Sequence, residues 1–179
     1  MRRFTEGFYG YVVAVFVVLA CVGVFLIFFA PQSRDERIPR RDYTITVANF
    51  NRAVPYQIWA PTSDPAGWIP NSNKIANGEG GAKVLHLGYA TKAREHAVFI
   101  QSDERPPAGF ANRMANSDKA VGTQQVGGVT WEQRYREDKK QRTLVRVLPD
   151  VTLVVTGTAD WAELGQLAAL LQPRPKPTA

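Results

Sequence analysis

From Phe8 to Ala30 the chain carries 23 residues without a charge, and 15 of them are Val, Leu, Ile or Phe. A helix of that length rises about 35 Å at roughly 1.5 Å per residue, enough for a hydrocarbon core of about 30 Å. On an insertion scale of roughly −0.3 to −0.6 kcal/mol for each large aliphatic or Phe residue, the run gains about 5 to 9 kcal/mol on entering a bilayer. A buried helix of a soluble domain keeps a polar stripe, which this run lacks. The expectation is a transmembrane signal anchor over residues 8–30, with the lipid bilayer as its partner and residues 1–7 as a short cytoplasmic start. A cleaved leader would have a shorter apolar core ending in small residues, whereas Phe28, Phe29, Ala30 and Pro31 close this one.

Orientation rests on opposed signals. Arg34, Arg37, Arg40 and Arg41 follow the run and only Arg2 and Arg3 precede it, so a bare count of basic residues puts the carboxy-terminal side in the cytoplasm. The two-arginine start typical of an export signal, and the tendency of large domains to translocate regardless of charge, point the other way. The reading adopted is a single-pass protein of the cell membrane with its domain extracytoplasmic.

Beyond the anchor, residues 31–42 alternate charge and proline as a solvated stalk. Residues 43–172 have the length of one domain with its own core. Residues 173–179, where Pro173, Pro175 and Pro177 flank Arg174 and Lys176, read as a disordered tail. The only cysteine, Cys21, lies in the anchor, so the domain has neither a disulfide nor a thiolate site. Its mild positive charge lacks the dense basic stripe of a nucleic-acid binder, and no nucleic-acid partner is expected.

Within the domain, residues 43–54 are ambiguous between helix and strand before Pro55. Strands are expected at 68–75, 83–90 and 97–102, with Leu85, Leu87 and Tyr89 inward. A short surface helix over 105–116 starts at Pro106 and Pro107 and sets Phe110, Ala111 and Met114 on one side. A three-stranded meander follows over 129–136, 141–148 and 151–156. A hairpin folded about Lys139 sets Trp131 opposite Val147, Gln133 opposite Val145, Tyr135 opposite Thr143 and Glu132 opposite Arg146, and the next turn sets Val145 opposite Val154. The last helix opens on a capping box, Asp160 with Glu163, and carries Trp161, Leu164, Leu167, Ala168 and Leu171 on one face before Pro173. The fold class is α+β: an N-terminal transmembrane helix, then an antiparallel β-sheet domain packed with two or three helices. Strand, strand, strand, helix occurs twice, each time near a tryptophan, which leaves a βββα duplication open.

Several segments, Ala66-Gly67-Trp68, Leu87-Gly88-Tyr89, Gln101-Ser102, Gly127 through Glu132 and Thr156-Gly157-Thr158-Ala159, resemble actinobacterial single-pass membrane proteins carrying domain of unknown function 4245. The resemblance covers most of the chain and implies an exported, anchored envelope protein without assigned activity or catalytic residues. Asp64-Pro65 stands where that family usually has Leu-Pro.

Chemistry-bearing patterns are sparse. His86 and His96 have no second ligand at metal spacing. Gly78-Glu79-Gly80-Gly81 lacks the Lys-Ser/Thr of a phosphate loop, and Gly127-Gly128 reads as a place for positive φ or for close chain approach before Trp131. Asp103-Glu104 and Glu137-Asp138 fall in expected turns. No catalytic, cofactor or metal residues are assigned and no cofactor is expected. The candidate binding surface is a basic patch of Arg134, Arg136, Lys139, Lys140, Arg142 and Arg146. On the proposed register its four arginines share one face, fit for anionic lipid or an acidic envelope or membrane protein partner. The function expected is a non-enzymatic binding or scaffolding role in the cell envelope. The alternatives are an accessory subunit of a membrane complex, for which Gly10 and Ala14 offer a small-residue helix contact, and an envelope enzyme whose site converges only in the fold.

Overall fold

The computed structural model describes residues 12–22 and 38–176, which fall into two compact units, residues 1–37 and 38–179. In the first unit residues 12–22 are helical and exposed throughout. The rest of the expected span lies outside the described residues, and among these no helix is long and apolar enough to cross a membrane.

The second unit is built on a seven-stranded antiparallel sheet. Helix α1 (Thr44–Ala53) leads to β1 (Trp59–Pro61), β2 (Ile69–Asn77), β3 (Lys83–Ala90) and β4 (His96–Ser102). Helix α2 (Pro107–Ala115) precedes β5 (Ala120–Val126), β6 (Val129–Arg136), β7 (Gln141–Val147) and β8 (Thr152–Gly157), and α3 (Trp161–Ala169) and β9 (Leu171–Pro173) close the chain. The sheet order is β2-β3-β4-β8-β7-β6-β5, while β1 and β9 form a separate ribbon. The ambiguous segment before Pro55 is thus a helix, held because Phe50 is fully buried against the sheet.

Period-two alternation assigns the two sheet faces. Leu85, Leu87, Tyr89, Phe99, Trp131, Leu144, Leu153 and Val155 point to one face, where Phe50 of α1 and Leu164, Leu167 and Ala168 of α3 complete the main core. Val84, Ile100 and Val154 point to the other, where Phe110 of α2 packs on them. The helix closing the first half therefore covers one face, against β6 to β8, and the helix closing the second half covers the opposite face. Two copies of a βββα unit related about the β4/β8 junction would put both helices on the same face, so the duplication is not borne out.

Three further expectations are corrected. β5 was missed; its run of Gly, Thr and Gln hides a strand whose hydrogen bonds go to β6. Leu171 is in a strand, not the last helix, because Gln172 and its neighbours pair with β1. The expected disordered tail is docked through residue 176: the Arg174 N–H donates to Ile58 O at 2.9 Å, the Asn51 side-chain amide to Pro175 O at 2.8 Å, and the Lys176 ammonium to Asn51 O at 2.8 Å. Prolines exclude helix but leave carbonyls free to accept. The capping box forms as expected, with Glu163 N–H donating to Asp160 Oδ1 at 2.7 Å and Asp160 N–H to Glu163 Oε2 at 3.2 Å.

Candidate functional site

The β6–β7 hairpin turns through Glu137 to Lys140, with Lys140 at φ 48° and its N–H donating to Glu137 O at 3.0 Å. This four-residue turn pairs Arg136 with Gln141, Arg134 with Thr143 and Glu132 with Val145, one residue away from the expected register. The junction to β8 is as expected, with Val145 opposite Val154.

That single step redistributes the basic patch, because directly opposed residues share a face. Arg134 and Arg136 lie on the α2 face; Arg142 and Arg146 lie on the α3 face. Arg134 is 7% exposed, and its guanidinium joins Glu132 at 2.5 Å, Asn112 of α2 and Ser117 O at 3.1 Å. It ties helix to sheet rather than presenting charge. Arg136 is occupied by Asp138 at 2.7 Å and 3.0 Å and by Asn116 O. Arg142 stacks over Tyr135 at 5.6 Å and donates to Thr158 O at 3.2 Å. Lys139 and Lys140 are exposed in the turn. The six residues do not form one surface.

The same hairpin creates a different feature. The β6–β7 ladder ends at Glu132 and Val145, although β6 continues back to Val129 and β7 on to Val147. Past that point β6 pairs only with β5, and β7 only with β8. The β5–β6 hairpin leans onto α3 instead: Gln124 donates to Trp161 O at 3.1 Å, and Val126 enters the main core. Its two-residue turn, Gly127 at φ 58° and Gly128 at φ 79°, matches the twist of a tight hairpin, as the glycine pair suggested.

Parting of the strands opens the sheet on both sides. On the α2 face lies a cleft of about 890 Å³, bounded by Pro107, Ala108 and Ala111 of α2, by Ala120, Gly122 and Thr123 of β5, and by Val145 to Leu148. Glu132 and Arg134 form its polar floor. On the α3 face is a smaller pocket of about 260 Å³ between Trp59, Val126, Val129, Trp131, Ala168, Ala169 and Leu171. Arg146 lines both, and its guanidinium lies 5.1 Å from the centre of the Trp59 ring. Trp59 is fixed from behind by the fully buried Gln101, whose Nε2 donates to Trp59 O at 2.6 Å while Oε1 accepts the Trp59 N–H at 2.9 Å.

The other sequence candidates sit apart from this opening. His86 faces Lys74 and Ile100 across the sheet, and burial, reinforced by Lys74, holds its pKa down to about 4. His96 is at a strand end, its main-chain carbonyl accepting from Thr158 and Ala159. Glu104, expected in a turn, is 2% exposed; it accepts from Glu79 N–H at 3.0 Å and pairs with Arg113 at 2.5 Å, which also reaches Glu79 at 3.0 Å. Among the described residues no cluster of three or more His, Cys, Asp or Glu could hold a metal ion.

An antiparallel sheet covered by helices on both faces and opened between β6 and β7, near its β5 edge, defines an α+β domain with a cleft and no recognisable catalytic arrangement among the described residues. The chain belongs to the family described as protein of unknown function (DUF4245), whose pattern matches residues 3–171. No curated protein matches it. Among solved structures it is similar to a chain of the crystal structure of MucB in complex with MucA(peri), at 12% identity and a TM-score of 0.36, covering 65% of this chain and 36% of that one. A chain of the complex structure of Pseudomonas aeruginosa MucA/MucB matches at 13% identity and a TM-score of 0.38, covering 65% and 35%. The chain thus spans about a third of the length of those chains.

Proposed function

We propose that this chain is a membrane-anchored, extracytoplasmic binding or scaffolding protein of the cell envelope that engages its partner through the cleft between α2 and the parted strands. The observation carrying this reading is the cleft itself. It has the size of a ligand or peptide site, its walls are small and aliphatic, and Val147 at its edge is 54% exposed. Glu132 and Arg134 on its floor are paired with each other, and Arg146 also lines the cleft. The uncharged run from Phe8 to Ala30 supports the anchor; of the expected stalk, residues 38–42 belong to the domain, with the Arg41 N–H donating to Pro70 O at 2.7 Å and the Asn73 side-chain amide to Asp42 O at 2.9 Å.

Two measurements test the proposal. Protease added to intact cells is expected to digest the domain, and alkaline carbonate to leave the protein in the membrane; an intact domain or release into the soluble fraction defeats the placement. For the cleft, Ala108 is exposed on its wall, so Ala108→Trp is expected to abolish crosslinking to an envelope component while Gln166→Ala, on the exposed side of α3, leaves it intact. Equal crosslinking by both variants refutes the cleft as the docking place.

A further inference from the structure

We propose that the pocket formed by Trp59, Trp131 and Arg146 binds a small anionic amphiphile, a single carboxylate or phosphate head on a short apolar chain. This site lies on the α3 face and stands whether or not the cleft on the other face binds a partner.

The argument starts from Arg146. Its neighbours on the basic strands each have a polar partner: Arg134 has Glu132, Arg136 has Asp138, and Arg142 has the Thr158 carbonyl. Arg146 is half-buried, and among the described residues its guanidinium has no carboxylate within ion-pair distance; its contact is the Trp59 ring. That ring contact leaves the guanidinium N–H groups without a protein acceptor among the described residues. An arginine held against a ring with its N–H groups unpaired is a prepared receptor for a carboxylate or for phosphate oxygens. Keeping a cation against apolar walls without an anion is unfavourable, so an incoming anionic head offsets that cost by pairing with it, against the desolvation of its own charge.

The walls define the remainder of the ligand. Trp131 is 2% exposed, Leu171 4% and Val126 9%, and no acidic residue lines the pocket. An apolar chain is accommodated there; a cationic head meets Arg146 and is repelled. The site is also held in shape. Gln101 clamps both main-chain polar groups of Trp59, the β1–β9 ribbon fixes Trp59 opposite Pro173, and an added Cβ at Gly127 or Gly128 would meet nothing within 4 Å, so the turn leaves the mouth open. Such fixed geometry lowers the ordering cost of binding.

The test uses the full chain in nanodiscs, labelled with 5-fluorotryptophan and observed by fluorine NMR, with empty nanodiscs accounting for partition into lipid. Octanoate and octyl phosphate are the anionic probes; octan-1-ol and octylammonium are the controls. Saturable shifts at Trp59 and Trp131, with Trp68 and Trp161 unmoved, are expected for one or both anions, and their relative affinity identifies the head. Arg146→Gln is expected to weaken anion binding at least tenfold. Ala169→Trp places a large side chain on the exposed rim without touching the buried core, and it is expected to block binding with Arg146 intact. Absence of anion binding, equal binding of the alcohol or the amine, or unchanged binding in either variant overturns the proposal.

Discussion

Gln101→Leu isolates the clamp that holds Trp59 in place. Gln101 is fully buried and both its hydrogen bonds go to the main chain of Trp59, at 2.6 and 2.9 Å. Leucine fills a similar volume but leaves one N–H and one C=O without partners. At about 1–3 kcal/mol for each orphaned group, centred on about 4 kcal/mol for the two, less about 1–2 kcal/mol for the added apolar burial, the net loss is about 2–3 kcal/mol. For a domain of this size that lowers the melting midpoint by about 5 to 15 °C, measured by near-ultraviolet circular dichroism on the full chain in nanodiscs. Gln101→Glu supplies an internal control. It keeps the acceptor for Trp59 N–H but sets a carboxylate against Trp59 O, so it is destabilising at neutral pH. Burial raises the pKa of such a carboxyl, and protonation restores a donor, so the variant regains stability as pH falls through its folded-state pKa. A leucine variant within about 0.5 kcal/mol of wild type, or a glutamate variant with the wild-type pH profile, refutes the clamp; the smaller figure is the usual effect of a substitution away from any key feature.

Gly157→Ala sets a Cβ 1.9 Å from His96 O, which already accepts from Thr158 and Ala159; a loss of at least about 3 kcal/mol in urea denaturation is expected, from overpacking plus broken main-chain bonds. Asp160→Ala removes the capping box of α3 and is expected to cost about 0.5–2 kcal/mol in the same assay. His86 is held neutral by burial first and Lys74 second, its pKa falling from 6.5 to about 4. The unfolded chain therefore takes up a proton near pH 6.5 that the folded chain refuses until about pH 4, so stability declines as pH drops through that window and His86→Gln flattens the decline.

Elements with strong local signals were legible: Lys83–Ala90 with its inward Leu85, Leu87 and Tyr89, the Pro-initiated α2, and the Asp160/Glu163 cap. What escaped was decided by distant partners. β5 has almost no apolar alternation and is a strand because β6 offers it a ladder. The tail is ordered by carbonyls and amides of residues more than 100 positions away. The basic patch failed through one residue of register, which hinged on Lys140 adopting a left-handed conformation that nothing in its side chain requires. Trp59 and Arg146 were invisible as a pair because only the β1–β9 ribbon and Gln101 bring them together. Trp59 follows a proline-broken segment without strand periodicity, and Arg146 reads locally as one more charge on a solvated strand.

The account turns on the parting of β6 from β7, which disulfide trapping measures directly. With Cys21→Ser as background, Arg136→Cys with Gln141→Cys joins two residues paired in the ladder, whereas Thr130→Cys with Val147→Cys joins two that would be opposed only if that ladder continued. Rapid oxidation of the first pair and none of the second is the expected result, since a disulfide needs Cα atoms within about 7 Å. Equal oxidation of both pairs would mean an unbroken sheet, with neither the cleft nor the tryptophan–arginine pocket.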